Sequence, residues 1–147
     1  MSDQLEANKR FVRDFFAAMD AKRFDEMRDM LHSDHKFHLP TVDEPMDKEK
    51  HMEMNMRIQQ VLTDFDRHFY DQIAEGDRVV SRMRLGLKPV GEINGVPPSG
   101  KHIYVEMIHI MRIKDGQNYE EWDAADFIPM LKALKYVPED AGSPFAH

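Results

Sequence analysis

The spacing of apolar residues changes halfway along this chain, and that change constrains the fold more than any single motif does. From about Asp3 to Met19 the residues Leu5, Val12, Phe15, Phe16 and Met19 recur at helical spacing, and Met27, Met30 and Leu31 predict a second short helix after Arg23. Lys36 to Leu39 reads as a short extended segment stopped by Pro40, with a loop from Thr41 to Pro45. A third helix is expected from about Asp47 to Leu62, with Met54, Ile58, Val61 and Leu62 as its apolar stripe. Beyond it the period becomes two. Val79, Ser81, Met83, Leu85 and Leu87 alternate with Val80, Arg82, Arg84, Gly86 and Lys88, the pattern of a strand with one buried face.

A preceding strand is expected over about Asp66 to Ala74, turning at Glu75-Gly76-Asp77. Gly91 to Gly100 holds too many turn residues for a strand interior and reads as a loop. Between His102 and Ile113 the odd positions Ile103, Val105, Met107, His109, Met111 and Ile113 form the core face. A turn at Asp115-Gly116 then leads to a last strand from about Asn118 to Ala125. Asp126, followed by Phe127, Ile128 and Pro129, reads as the N-cap of a short helix ending near Leu134. Helices first and antiparallel strands after them make an α+β pattern, with the helices on one face of the sheet. Residues 1–137 are expected to form one domain, and 138–147 a loose tail.

Composition narrows the function classes. With 41% hydrophobic residues, 32% charged residues and no apolar run long enough to span a bilayer, the chain reads as a non-membrane globular protein. A formal charge of −7 with scattered basic residues argues against a nucleic-acid partner. The absence of cysteine removes thiolate metal sites, cysteine nucleophiles and disulfides. No secretory signal is visible at Met1-Ser2-Asp3-Gln4-Leu5-Glu6, so a cytoplasmic location is the simplest expectation.

His109 is the polar interruption of an apolar strand face, so its ring is either satisfied by a core partner or lines a cavity. The next strand offers Tyr119, Glu121 and Asp123 on one face and Glu120 and Trp122 on the other. Register decides which set meets it, because a one-residue slip reverses every side chain. A two-residue turn at Asp115-Gly116 places Trp122 opposite His109, and local turn chemistry leans that way. A three-residue loop, Lys114-Asp115-Gly116, places Glu121 opposite His109 and Asp123 opposite Met107.

Three stretches carry a resemblance. Gly95-Val96-Pro97-Pro98-Ser99-Gly100-Lys101, then Ile108 to Gly116, then Asp123-Ala124-Ala125-Asp126-Phe127 resemble the corresponding parts of SnoaL-like polyketide cyclases, in the nuclear-transport-factor-like, ketosteroid-isomerase-like superfamily. The resemblance implies a cone of curved antiparallel sheet closed by the N-terminal helices around an apolar pocket. It implies an aspartate acid/base at Asp123 with a histidine, His109, nearby, and so favours the three-residue loop. It also implies cofactor-free chemistry on a hydrophobic carbonyl compound, and a homodimer packed through the outer sheet face.

Other residues have weaker claims. His38, before Leu39-Pro40, lies about one residue out of step with a family position at the cavity mouth. His32, His35 and His38 straddle a helix end and a strand without a clear carboxylate partner, so no metal site is expected. Glu121 stands where the nearest family pattern has histidine, which makes it a candidate second acid. Glu120 and Trp122 fit a Glu-x-Trp pattern, with Trp122 as packing or pocket wall. Met107, Phe16, Met56 and Met52 are possible pocket linings in a chain with 12 methionines. His51, His68 and His102 read as solvated or interface residues.

Two functions follow. One is an acid/base enzyme that removes a proton α to a carbonyl and closes a ring by aldol condensation, with isomerisation or dehydration as related chemistry. The other is a non-catalytic module that binds an apolar ligand or dimerises. An enzyme is expected to hold a pocket of about 300–1,000 Å³.

Overall fold

A computed structural model describes residues 2–142 and residue 145, apart from the side chain of Ser2. Part of the expected loose tail therefore lies outside the described residues. The elements in chain order are α1 (Ser2–Asp20), α2 (Phe24–Met30), β1 (Leu31–His38), α3 (Lys48–Ile58), β2 (Leu62–Glu75), β3 (Arg78–Pro89), β4 (Ile103–Lys114), β5 (Gln117–Ala125) and α4 (Ile128–Ala133). The architecture is α+β, with an open five-stranded sheet in the order β1-β5-β4-β3-β2.

The sheet is mixed rather than purely antiparallel, because β1 runs parallel to β5 while the other pairs are antiparallel. β1 also begins five residues earlier than expected. Its first half, His32-Ser33-Asp34-His35, is polar enough to hide a strand from any hydrophobicity pattern. Edge strands tolerate this, since one side of the ladder and often one face meet water.

α1 lays Val12, Phe15 and Phe16 against the sheet, all at most 5% exposed. It ends without a glycine. Lys22 takes the left-handed conformation (φ 60) and the Arg23 N–H reaches back to the Ala18 carbonyl at 2.9 Å, satisfying an otherwise orphaned helix-end acceptor. The Asp47 carboxylate caps α3 by accepting from the Lys50 N–H at 2.9 Å.

α3 departs from expectation in both length and facing. It stops at Ile58, and Leu62 already belongs to β2. The buried face is His51, Met52, Asn55 and Gln59, whereas Ile58 is 37% exposed and Met56 42% exposed. This inward stripe is polar because its groups find partners there: Gln59 donates to the Met19 carbonyl at 2.9 Å, and His51 meets His35.

The core is in two parts. One joins α1, α2 and α3 to the sheet through Phe15, Met27, Leu31, Met52, Met83 and Met111. The other joins Leu62, Leu87, Ile103 and Val105 under α4 and its approach. Met107 packs against both, so it marks the seam. At the start of α4 the Asp126 carboxylate accepts from the Ile128 N–H at 3.0 Å, while the formal cap position is Phe127. Asp126 thus makes a capping bond from one residue further out than expected.

Candidate functional site

The β4–β5 hairpin builds the site, and its register is neither of the two read from the sequence. Asp115 (φ 56) and Gly116 (φ 71) form a two-residue turn of the left-handed kind, with Lys114 paired to Gln117 and Ile113 to Asn118. Continued unchanged, that register would set Trp122 against His109. Instead Arg112 pairs with Glu120, leaving Tyr119 as an extra residue. This is a β-bulge, which moves the rest of β5 by one position.

Beyond the bulge His109 pairs with Asp123, Met111 with Glu121 and Met107 with Ala125. The three-residue loop is therefore corrected, along with its placement of Asp123 against Met107. Glu121 and Asp123 nevertheless share the inner face with His109. Trp122 and Glu120 face the other way.

Glu121 is the centre of a buried polar cluster. The His109 Nε2–H donates to its Oε2 at 2.6 Å. Its Oε1 lies 3.4 Å from His35 Nε2 and 3.3 Å from His51 Nδ1, yet accepts no hydrogen bond among the described residues. His35 Nδ1–H donates to the Asn118 carbonyl at 3.0 Å, and the two rings meet through His35 Nε2 and His51 Nδ1 at 2.9 Å. Burial is the main influence on both imidazoles and lowers them, His51 to about 4, so both are neutral at pH 7. With its proton on Nδ1, neutral His35 accepts from His51 Nδ1–H.

Glu121 goes the other way. Burial alone would raise its carboxyl, but the His109 hydrogen bond and the fields of His51, His109 and His35 together outweigh that and hold it at about 2. It is an ionised carboxylate in the core.

Asp123 sits at the outward end of this chain of groups. Its Oδ1 is 4.0 Å from His109 Nε2 and has no hydrogen-bond partner among the described residues, while the side chain keeps 14% of its exposure. Burial pushes its carboxyl up to about 6; His109 opposes that, Glu121 adds to it and Arg67 opposes it. Two carboxylates two residues apart thus differ by their hydrogen bonds. One oxygen of Glu121 accepts from a donor, whereas Asp123 Oδ1 accepts from none among the described residues.

Phe16 covers His109 edge-on at 4.8 Å between ring centres, and the Arg67 guanidinium lies 4.2 Å over Phe16. Arg67 is itself fixed by two 2.9 Å bonds to Asp20. Around Asp123 the inner face is apolar and partly open, with Met107, Ala125, Phe127 and Met130 only half-buried. Surface hollows of about 590 and 400 Å³ lie near Gly116, one between α1 and α2 and one beside Gly76.

Several expected site residues lie elsewhere. His38 and Trp122 pair across β1 and β5 on the outer face, with rings stacked at 5.1 Å, because both strands alternate and His35 and Phe37 take the inward positions. Met56, one turn beyond Met52 on α3, is 42% exposed rather than part of the interior. The histidine trio disperses: His32 donates to Asp115 at 3.1 Å, His38 to Glu120 at 2.7 Å, and His35 alone joins the cluster. His51, expected as a solvated or interface residue, is 2% exposed. The i, i+4, i+8 series His51, Asn55, Gln59 was the signal for it, as an unusually polar but regular helix stripe.

With this geometry in place, a family model described as SnoaL-like polyketide cyclase matches residues 8–134. The chain belongs to that family. Solved structures agree on the fold: AclR of Streptomyces galilaeus, described as a candidate hydroxylase, is 21% identical, with a TM-score of 0.81 over 91% of this chain and 99% of its own. IdmH of Streptomyces antibioticus, described as a candidate polyketide cyclase, is 24% identical, with a TM-score of 0.77 over 87% and 98%. An LEH-like epoxide hydrolase of M. tuberculosis is 16% identical, with a TM-score of 0.71 over 90% and 92%. No curated protein matches in sequence. The SnoaL-like fold thus has relatives described as cyclases, hydroxylases and epoxide hydrolases. Among the described residues no helix is long and apolar enough to cross a membrane.

Proposed function

We propose that this SnoaL-like protein is an acid/base enzyme that removes a proton α to a carbonyl of an apolar substrate, with Asp123 as the base. The observation that carries the reading is the carboxylate itself. Asp123 has an unpartnered oxygen on a half-open apolar inner face, directly across the ladder from His109. Such a carboxylate can take the Cα–H proton while the electron pair passes into an enolate. The enolate carbon then bonds to a second carbonyl carbon of the same molecule, and the resulting alkoxide recovers the proton from Asp123. General acid/base catalysis of this kind contributes about 10²–10⁴ in rate.

His109 is tied to Glu121, so its role is to orient the site beside Asp123 rather than to exchange the substrate proton. Substrate enters from the side of Met107, Phe127 and Met130, where α4 has no fully buried residue and yields readily. The same reading expects a homodimer through the outer sheet face, where Tyr104 is 45% and Ile108 48% exposed. Sedimentation of the purified chain checks that part.

The test is Asp123→Asn assayed on aromatic-polyketide-like methyl ketones and esters. Substrate binding should persist while turnover falls about 100-fold or more. Unchanged turnover would sink the assignment of Asp123 as the base, and binding without turnover by the wild type would favour a ligand-binding module.

A further inference from the structure

We propose that His35, His51 and Glu121 form a binding site for a divalent transition-metal ion of the zinc type, bracing β1, α3 and β5 together. Three donor atoms converge there: His35 Nε2, His51 Nδ1 and Glu121 Oε1 are separated by 2.9, 3.3 and 3.4 Å. Bonds of about 2.0–2.1 Å require neighbouring ligands about 3.0 Å apart in an octahedral face and about 3.4 Å apart in a tetrahedron. The observed triangle spans that range. Its atoms lie on a circle of radius about 1.9 Å, so a cation about 2.1 Å from each rests about 1 Å out of their plane.

Two further features point to a ligand. Glu121 Oε1 is a buried carboxylate oxygen that accepts no hydrogen bond among the described residues, although Glu121 is only 2% exposed. Leaving such an atom unsatisfied is costly, and a cation satisfies it. The outer partners are also those that metal ligands require: His35 Nδ1–H is fixed by the Asn118 carbonyl, and the other oxygen of Glu121 by His109.

Two imidazoles and one carboxylate favour zinc or a neighbouring transition metal over magnesium or calcium, which take oxygen ligands. In the metal-free protein His51 Nδ1–H donates to His35 Nε2. Binding therefore requires His51 to carry its proton on Nε2 and both rings to turn toward the ion. All three ligands lie behind His109 and away from the half-open face, so the ion has a bracing role and does not meet substrate. The proposal is independent of the acid/base reading.

The test uses full-length, untagged protein stripped of metal. Titration with Zn²⁺ should show one saturable site with a dissociation constant below about 10 µM and a raised melting temperature. Co²⁺ should give visible absorption bands. Glu121→Gln and His51→Gln should each weaken binding about 100-fold or more, with far-UV circular dichroism checking that they fold. Asp123→Asn should bind Zn²⁺ as the wild type does while losing turnover, which separates this site from the catalytic one.

If those ligand variants do not fold, the wild type still decides. Zn²⁺ should shift the ¹⁵N resonances of His35 Nε2 and His51 Nδ1. No saturable binding up to about 1 mM, shifts at His32 or His38 instead, or binding lost in Asp123→Asn would each overturn the proposal.

Discussion

The two faces of β5 carry the same pair of residue types at nearly the same distance and in different surroundings. On the inner face His109 donates to Glu121 at 2.6 Å, with both side chains at most 2% exposed; on the outer face His38 donates to Glu120 at 2.7 Å, with exposures of 32% and 17%. Hydrogen-bond length does not separate them. What separates them is what remains when a partner is removed, because water can replace a lost partner outside and cannot inside.

The largest expected effect breaks the inner pair. Glu121→Ala leaves the buried His109 N–H without its acceptor and should cost about 1–3 kcal/mol in urea unfolding at pH 7, the range for stranding a buried hydrogen-bonding group. A cost below about 1 kcal/mol would make the two faces equivalent. Comparable in size, but in rate, is the loss of about 100-fold or more in turnover for Asp123→Asn.

Acid should then distinguish the carboxylates on the inner face from each other. Glu121 titrates near 2 when folded against an ordinary 4.5, so its stabilisation is complete above pH 4.5 and is lost as pH falls toward 2. His51, lowered to about 4, adds to that: the unfolded state takes up the proton first, and stability is lost as pH falls from 6.5 to 4. Asp123 has the opposite sign. Raised from 3.8 to about 6, it binds a proton more readily when folded, so its contribution is present at low pH and is lost as pH rises through 6. Urea midpoints of the wild type and Asp123→Asn from pH 4 to 7 should therefore move apart in favour of the variant, and turnover of the wild type should rise through pH 6. A midpoint difference independent of pH would mean that Asp123 titrates normally.

The smallest effect belongs to the outer pair. Glu120→Gln should cost about 0.2–1 kcal/mol and leave turnover unchanged, and added salt should shrink even that. A loss as large as that of Glu121→Ala would show that a partner protein or second copy buries this face.

The bulge explains why the site was only half legible. The period-two pattern of β4 was enough to turn His109 inward, because each strand residue alternates faces and its neighbours there are apolar. The turn at Asp115-Gly116 was also legible from its residue types, as Asp-Gly suits two consecutive left-handed conformations. Tyr119 was not legible as a bulge. Nothing in its residue type marks it, since the shift is selected by burial of Asn118 and Glu121 on one side and by the Arg112–Glu120 pair, at 3.2 Å, on the other. Resemblance gave the correct face for Asp123 through an incorrect loop.

β1 and α3 show the same division. Helical spacing predicts that α3 exists, but its apolar residues suggest the wrong inward face, and His51 reads from the sequence as a solvated or interface residue. A helix turns its polar stripe inward only when partners wait for it, and those partners, His35 and Glu121, are 16 and 70 residues away in sequence.

By itself, then, the sequence determined the order of helices and strands, the inner face of β4 and the direction of His109, because these depend on the repeat of near neighbours along one element. Only the tertiary structure decided that Asp123 lies across from that histidine and that His35, His51 and Glu121 meet behind it. Those facts depend on one extra residue in a ladder and on the approach of separate elements, and distances between chain-distant atoms leave no periodic trace in either.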